Sequence, residues 1–248
     1  MGDLDGLCIA VTGATGNLGG AVCARLLSGG ARVHGIDRHA PSPSFLARLP
    51  SGGAGFTHAA AQLGDEAQVE AAIEGGQTRS GPSWSLWALV NLAGAWEGGK
   101  PAHEAPLDVF DRMIDANLRT CYTASRAAMR RLIGAKASVG GARGGRIVNV
   151  SALTAVSGVG IAGSAAYAAA KLGVVGLTRA LAEEGAPHGI RVSCIAPGTL
   201  RTAANAAAMP SADPARWVPL EDVASAIAFL CAPGSAAVNG AVLPLPAL

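Results

Sequence analysis

The sequence predicts an α/β fold of the Rossmann type, with residues 1–248 forming a single domain: a doubly wound parallel sheet in a three-layer αβα arrangement. Two observations predict it. Short apolar runs suited to buried strands alternate with stretches of helical character, and a glycine-rich turn, TGATGNLG, follows the first run directly. The runs are LCIAVTG, ARVHGID, GFTHAAA, LWALVNLAG, GRIVNVSA, IRVSCIAPG and AVLPL. The helical stretches are Gly19 to Leu27, Gln68 to Ile73, Leu107 to Ile133, Ala165 to Glu184 and Leu220 to Cys231. Strands that are apolar along most of their length must be covered on both faces, and the intervening helices supply that cover.

Glycine, proline and serine gather at Ala40 to Gly55, Gly75 to Ser83, Gly134 to Gly145 and Ala203 to Pro214. Each reads as a surface connection, because none separates two segments that can each close a sheet. The last follows a strand, where a substrate lid is expected, over residues 199–217. Arg143 and Arg146, in GARGGR, read as part of a solvated loop.

Composition narrows the function. Half of the 248 residues are hydrophobic and 15% are charged, which is too apolar for a disordered chain. A formal charge of +2, without a basic patch interleaved with aromatics, argues against nucleic acid as a partner. The five cysteines are far apart, with no CxxC pair and no histidine at ligand spacing, so reduced thiols in a cytoplasmic protein are expected and no metal site is. The opening MGDLDGLCIAVTG is acidic before its short apolar run, unlike a signal peptide. No apolar stretch approaches the ~18 residues of a membrane span.

The glycine turn is built to hold phosphate. Gly13 permits positive φ, Gly16 lets backbone approach a pyrophosphate, Gly19 allows close helix packing, and the helix N-terminus presents unpaired N–H groups. The second strand ends at Asp37, eighteen residues beyond Gly19. A carboxylate there accepts hydrogen bonds from ribose hydroxyls and repels a 2′-phosphate, favouring NAD over NADP. Arg38 beside it can accommodate that phosphate, so NADP stays open.

Tyr167 and Lys171 stand four positions apart in a helical stretch, on one face of the helix. A phenol titrating near pH ~10 needs a shift of roughly 3 units to exchange protons near neutrality. A neighbouring ammonium lowers it.

Six motifs then follow one another in order: TGATGNLG, NLAG at Asn91 to Gly94, DANLRT with Asn117, IVNVSA with Ser151, YAAAK from Tyr167 to Lys171, and APGTLRT with Pro197, Gly198 and Thr202. Across essentially the whole chain the sequence resembles the short-chain dehydrogenase/reductase family. The resemblance implies an NAD(P)(H)-dependent oxidoreductase that transfers hydride between a nicotinamide and a carbonyl or secondary alcohol. It makes Tyr167 the general acid/base. Lys171 holds the nicotinamide ribose and lowers the phenol pKa, Ser151 hydrogen-bonds the substrate oxygen, and Asn117 anchors a proton-relay water. Contacts to the nucleotide are implied for Gly13, Thr15, Gly16, Asn17, Leu18 and Gly19 at the first turn, and for Asp37 and Arg38 after the second strand. Further along they are implied for Gln62 and Leu63, for Asn91, Ala93 and Gly94, for Tyr167 and Lys171, and for Pro197, Gly198, Thr199 and Thr202. A small-molecule substrate, no membrane association, and a homodimer or homotetramer packed through the helices from Leu107 and Ala165 are implied as well.

The chain departs from the family pattern in places. Asn17 stands where the middle glycine usually falls, leaving the spacing GxxGxxG. Ser151 lies sixteen residues before Tyr167, which brings Thr154 and Ser157 into competition for the hydroxyl role. Gln62 replaces a common aspartate, NLAG has one asparagine rather than two, and the ending GAVLPLPAL lacks the usual glycines. GxxGxxG keeps a nucleotide-sugar epimerase or dehydratase in view, although such enzymes usually carry a larger C-terminal domain. A pterin-reductase-like member and a noncatalytic dinucleotide sensor also stay open. Trp96, Glu97 and Arg201 to Trp217 are expected to border the substrate pocket.

Overall fold

The computed structural model describes residues 3–79, 85–134, 138–139 and 142–247. Each predicted run becomes a strand: β1 Cys8–Thr12, β2 Arg32–Asp37, β3 Phe56–Ala60 and β4 Leu86–Asn91, then β7 Arg146–Val150, β8 Arg191–Pro197 and β9 Val242–Leu245. Between β4 and β7, the two-residue strands β5 Ser138–Val139 and β6 Ala142–Arg143 form a separate antiparallel hairpin. The seven others pair in parallel in the order β3-β2-β1-β4-β7-β8-β9. The chain winds outward from β1 to β3, returns to the opposite side of β1 at β4, and winds outward again. This reversal opens a crevice at the carboxyl ends of β1 and β4, where such sheets take ligands.

Helices α1 Asn17–Ser28 and α9 Leu220–Cys231 cover one face. Helices α3 Glu66–Arg79, α5 Thr120–Gly134 and α7 Ala165–Gly185 cover the other. The two-residue period of a strand divides its side chains between the layers. Ile9 and Val11 pack with Val22, Leu26 and Ile227, whereas Ala10 packs with Ile36, Leu89, Val69 and Ile73.

The helical boundaries differ from the expectation at several points. Leu107 to Ile133 is not one regular helix: α4 Leu107–Met113 passes through a π-helical turn, Ile114–Arg119, into α5. Inside Ala40 to Gly55 lies α2 Pro43–Arg48, begun by the Ser42 hydroxyl, which accepts from Phe45 N at 3.1 Å, and by a proline in the first turn. Short helices α6 Leu153–Ser157 and α8 Ala203–Ala208 also form in stretches without clear helical periodicity. Helix α3 runs through Gly75 and Gly76 to Arg79, into a predicted connection. Ion pairs join its earlier turns to α5: Glu66 meets Arg126 and Arg130, Glu70 meets Arg130, and Glu74 meets Arg131. The rest of the Gly75 to Ser83 connection, and the middle of Gly134 to Gly145, lie outside the described residues.

Arg146 corrects the reading of a solvated loop. It opens β7 and is 3% exposed, its guanidinium 5.1 Å from the centroid of the Trp87 ring. Donation to Ser235 Oγ and to the carbonyls of Gly145 and Pro233 satisfies it, and burial lowers its pKa. A planar cation with aromatic and carbonyl partners can be buried where a solvated loop was expected.

A buried polar chain ties the layers together behind the crevice. Asn91 and Asn149 are opposite each other on β4 and β7, and Asn91 Nδ2 donates to Asn149 Oδ1 and to Ser125 Oγ, each at 2.9 Å. Asn149 Nδ2 donates in turn to Thr178 Oγ1 at 2.9 Å, so α5 and α7 are both fastened to the sheet. Asn149→Ala leaves donors and acceptors of this chain without partners. It is expected to lower stability by about 2–3 kcal/mol, read as a reduced urea midpoint at unchanged slope.

Candidate active site

The turn from β1 to α1 accepts only glycine at two points. Gly13 has φ of 67°, and a Cβ on it would lie 2.8 Å from Ala93 N; a Cβ on Gly19 would lie 2.2 Å from Gly13 O. Backbone therefore packs on backbone, and Gly16 and Asn17 are left exposed at the start of α1. That start has no side-chain cap and no acidic residue in its first turn, so its N–H groups and positive dipole face no competing carboxylate of their own helix. Thr15 and Leu18 are half-buried in the same turn.

Asp37 closes β2 beside this turn. Thr15 donates to its Oδ2 through Oγ1 at 2.6 Å and through N at 3.2 Å, and Arg38 N donates to Oδ1 at 2.8 Å. These three bonds fix the direction of the carboxylate, while the Arg38 side chain is exposed. Gln62 is exposed after β3, its N–H bonded to Gln68 Oε1, and Leu63 is buried. The side chain of Asn91 belongs to the buried polar chain; Ala93 is half-buried and Gly94 is exposed just beyond it.

Gly94, Asn117 and Lys171 converge from three parts of the sequence. A Cβ on Gly94 would lie 2.6 Å from Asn117 Oδ1 and 3.4 Å from Lys171 Nζ. Asn117, in the π-helical turn, is 1% exposed. Its Nδ2 donates to the carbonyls of Ala95 at 2.9 Å and Met113 at 3.0 Å, and its Oδ1 accepts from Ala95 N at 3.2 Å. A single π turn often marks a functional position; here it aims the asparagine at the chain leaving β4.

Lys171 is buried, and its Nζ donates to Val150 O at 3.0 Å and lies 5.7 Å from the centroid of the Tyr167 ring. Burial lowers the lysine pKa and pushes the half-buried Tyr167 phenol up to about 12. Loss of hydration dominates at the phenol, and the Lys171 side chain lies toward the ring while its Nζ donates to the Val150 carbonyl. Ser151 is 2% exposed, and its Oγ donates to Lys171 O at 2.8 Å. Its competitors are exposed on α6, where Ser157 Oγ accepts from Val159 N.

Pro197 ends β8, and Gly198 N donates to Leu245 O. Beyond them, residues 199–217 leave and rejoin the body at one neck: Val218 N donates to Thr199 O at 2.8 Å, and Arg201 N to Val218 O at 2.9 Å. The Arg201 guanidinium donates to the carbonyls of Pro214, Ala215 and Trp217, Thr202 caps α8, and Trp217 is buried. Trp96 is 62% exposed, and Glu97 is held by Arg112, which lowers its pKa. A cavity of about 340 Å³ lies between the loop after β4, α4 and the start of α7, but Tyr167, Ser151 and Lys171 do not line it. Among the described residues, no cluster of three or more His, Cys, Asp or Glu could hold a metal ion.

A cradle that excludes even a methyl group, below the crevice of a reversed parallel sheet, fits the pyrophosphate of a dinucleotide. The fold and this site define a dinucleotide-binding protein. Comparison with known proteins narrows the class: the short chain dehydrogenase family profile matches residues 7–212. D-threitol dehydrogenase of Mycolicibacterium smegmatis is 31% identical over 250 residues, covering 97% of this chain and 91% of the relative. The 3-oxoacyl-acyl-carrier-protein reductase of Vibrio harveyi is 30% identical over 250 residues, covering 97% and 96%. Among solved structures, levodione reductase matches with a TM-score of 0.86 at 26% identity, covering 98% of this chain and 97% of that one. The chain belongs to the short-chain dehydrogenase/reductase family and is an NAD(P)-dependent oxidoreductase acting by hydride transfer. An epimerase or dehydratase and a noncatalytic sensor are not favoured.

Gly19→Ala must part α1 from the Gly13 and Ala14 carbonyls. It is expected to weaken NADH binding by at least about tenfold in a fluorescence titration.

Proposed function

We propose that this enzyme interconverts a small-molecule ketone or aldehyde and its alcohol, with Tyr167 transferring the proton and NAD(H) preferred over NADP(H). The observation that carries the reading is the buried ammonium of Lys171, 5.7 Å from the centroid of the Tyr167 ring. When bound, the nicotinamide nucleotide donates or accepts the hydride.

Lys171 holds the nicotinamide ribose and Asn117 anchors the relay water through its remaining acceptor capacity. Tyr167, whose phenol retains its proton at neutral pH, donates it to the carbonyl oxygen during reduction and removes the alcohol proton in reverse. A hydroxyl from the turn after β7, among Ser151, Thr154 and Ser157, meets the substrate oxygen. The glycine turn with Thr15, Gly16, Asn17 and Leu18 binds the pyrophosphate. Gln62, Leu63 and the backbone at Asn91, Ala93 and Gly94 border the adenosine side, and Pro197, Gly198, Thr199 and Thr202 border the nicotinamide. Residues 199–217 form the lid, pinned at its neck.

The preference for NAD is supported by Asp37, whose carboxylate is held by Thr15 at the end of β2. A small-molecule alcohol or carbonyl substrate is supported by relatives named as dehydrogenases and reductases. A homodimer or homotetramer is supported by exposed apolar residues on α4, α5 and α7, including Leu107, Phe110, Tyr122 and Leu172. The five buried free cysteines support a reducing, cytoplasmic location, and among the described residues no helix is long and apolar enough to cross a membrane.

Tyr167→Phe is expected to keep NADH binding while turnover against a panel of ketones and aldehydes falls by about 10²–10⁴-fold; near-normal turnover would sink the assignment. With the phenol pushed up to about 12, the base form is a minority that grows with pH throughout the neutral and alkaline range. Alcohol oxidation should therefore climb with pH across that range, while carbonyl reduction stays nearly level until pH approaches about 12. Thr15→Val frees Asp37 to turn away, so the ratio of kcat/KM with NADH to that with NADPH should drop about threefold or more. An unchanged ratio counts against Asp37 as the selector.

A further inference from the structure

We infer that Ser151 is a positioning residue that holds Lys171, and that it is not the hydroxyl that meets the substrate oxygen. The inference rests on Lys171 contacting the nucleotide, as proposed above. Two hydrogen bonds cross between the end of β7 and α7 in opposite senses. Lys171 Nζ donates to Val150 O at 3.0 Å, and Ser151 Oγ donates to Lys171 O at 2.8 Å. Each segment thus grips the other's main chain with a side chain, and both ends of Lys171 are fixed to two consecutive residues. A lysine side chain is long and flexible, so anchoring its main chain beside the carbonyl that its ammonium reaches narrows the arc available to the charge.

Ser151 is poorly placed to serve a substrate. It is 2% exposed, and its own N–H is given to Ile195 O at 2.8 Å, which continues the pairing of β7 with β8. Turning the hydroxyl outward by moving the backbone would break that bond. A serine hydroxyl has one proton to give, and this one already goes to the Lys171 carbonyl. An oxygen that gains negative charge in the transition state needs a donor, and the acceptor lone pairs left on Ser151 cannot supply one. Ala152 next in the chain has no donor side chain. Of the competing hydroxyls, Thr154 stands exposed in the first turn of α6.

The test compares Ser151→Ala and Ser151→Cys with the unsubstituted enzyme, using NADH fluorescence titration and steady-state kinetics. The clasp predicts that Ser151→Ala raises the NADH Kd about three- to tenfold, the worth of one ordinary hydrogen bond. It also predicts that kcat at saturating nucleotide falls by less than about tenfold. Ser151→Cys, nearly isosteric and a weak donor, should fold if the alanine variant does not, and its Kd should lie above that of the unsubstituted enzyme but below tenfold. A fall in kcat of about a hundredfold or more at unchanged Kd, as for a lost oxyanion donor, overturns the inference. Unchanged Kd overturns the positioning role whatever kcat does. Lys171→Met separates the two levels: if it leaves the NADH Kd unchanged, the proposed contact between lysine and nucleotide fails, not merely the clasp.

Discussion

Burying the Lys171 ammonium is the constraint around which the crevice is organised. A charge taken out of water costs several kcal/mol unless polar partners replace its hydration. Here the hydrogen-bond partner is a neutral carbonyl, Val150 O, and burial lowers the lysine pKa. Cys121 and Cys194 lie close enough to influence it, but burial pushes their own pKa values up to about 12 and about 11, so both remain uncharged thiols at neutral pH. Among the described residues, no carboxylate acts on the ammonium to offset its burial.

That constraint explains why distant segments meet where they do. The residue facing the ammonium from the end of β4 is Gly94, where a side chain would strike Asn117 and crowd Lys171. Asn117 arrives through a π turn, and both its amide hydrogens go to carbonyls that define the turn and the chain leaving β4. The polar chain of Asn91, Ser125, Asn149 and Thr178 then fixes α5 and α7 to β4 and β7. Helix α7 carries Tyr167 and Lys171, so this interior hydrogen bonding sets the position of both side chains relative to the sheet. Proximity of reacting groups depends on such supporting contacts.

The loop after β4 and the 199–217 segment are held differently. The loop after β4 is joined to α4 by Glu97 and Arg112, both substantially exposed, and pairs of this kind contribute little stability in water. The 199–217 segment is closed at its neck by backbone bonds and by the Arg201 guanidinium on three carbonyls.

Much of this was legible from local pattern. Apolar runs announced the strands of the main sheet, and glycine spacing announced a turn that backbone alone can occupy, as the contacts of Gly13 and Gly19 confirm. Asp37 at a strand end and the four-residue interval from Tyr167 to Lys171 were visible for the same reason: spacing along a helix or strand is a property of sequence. The ion pairs between α3 and α5, the burial of Arg146 and the upward push on the Tyr167 phenol were not, because each depends on groups brought from elsewhere in the chain. Ser151 shows the division most clearly. The sequence by itself determined that a hydroxyl stands after β7 and a lysine stands on α7; only the tertiary structure decided that the hydroxyl points at the lysine's carbonyl, since the direction of a hydrogen bond is settled by packing in three dimensions.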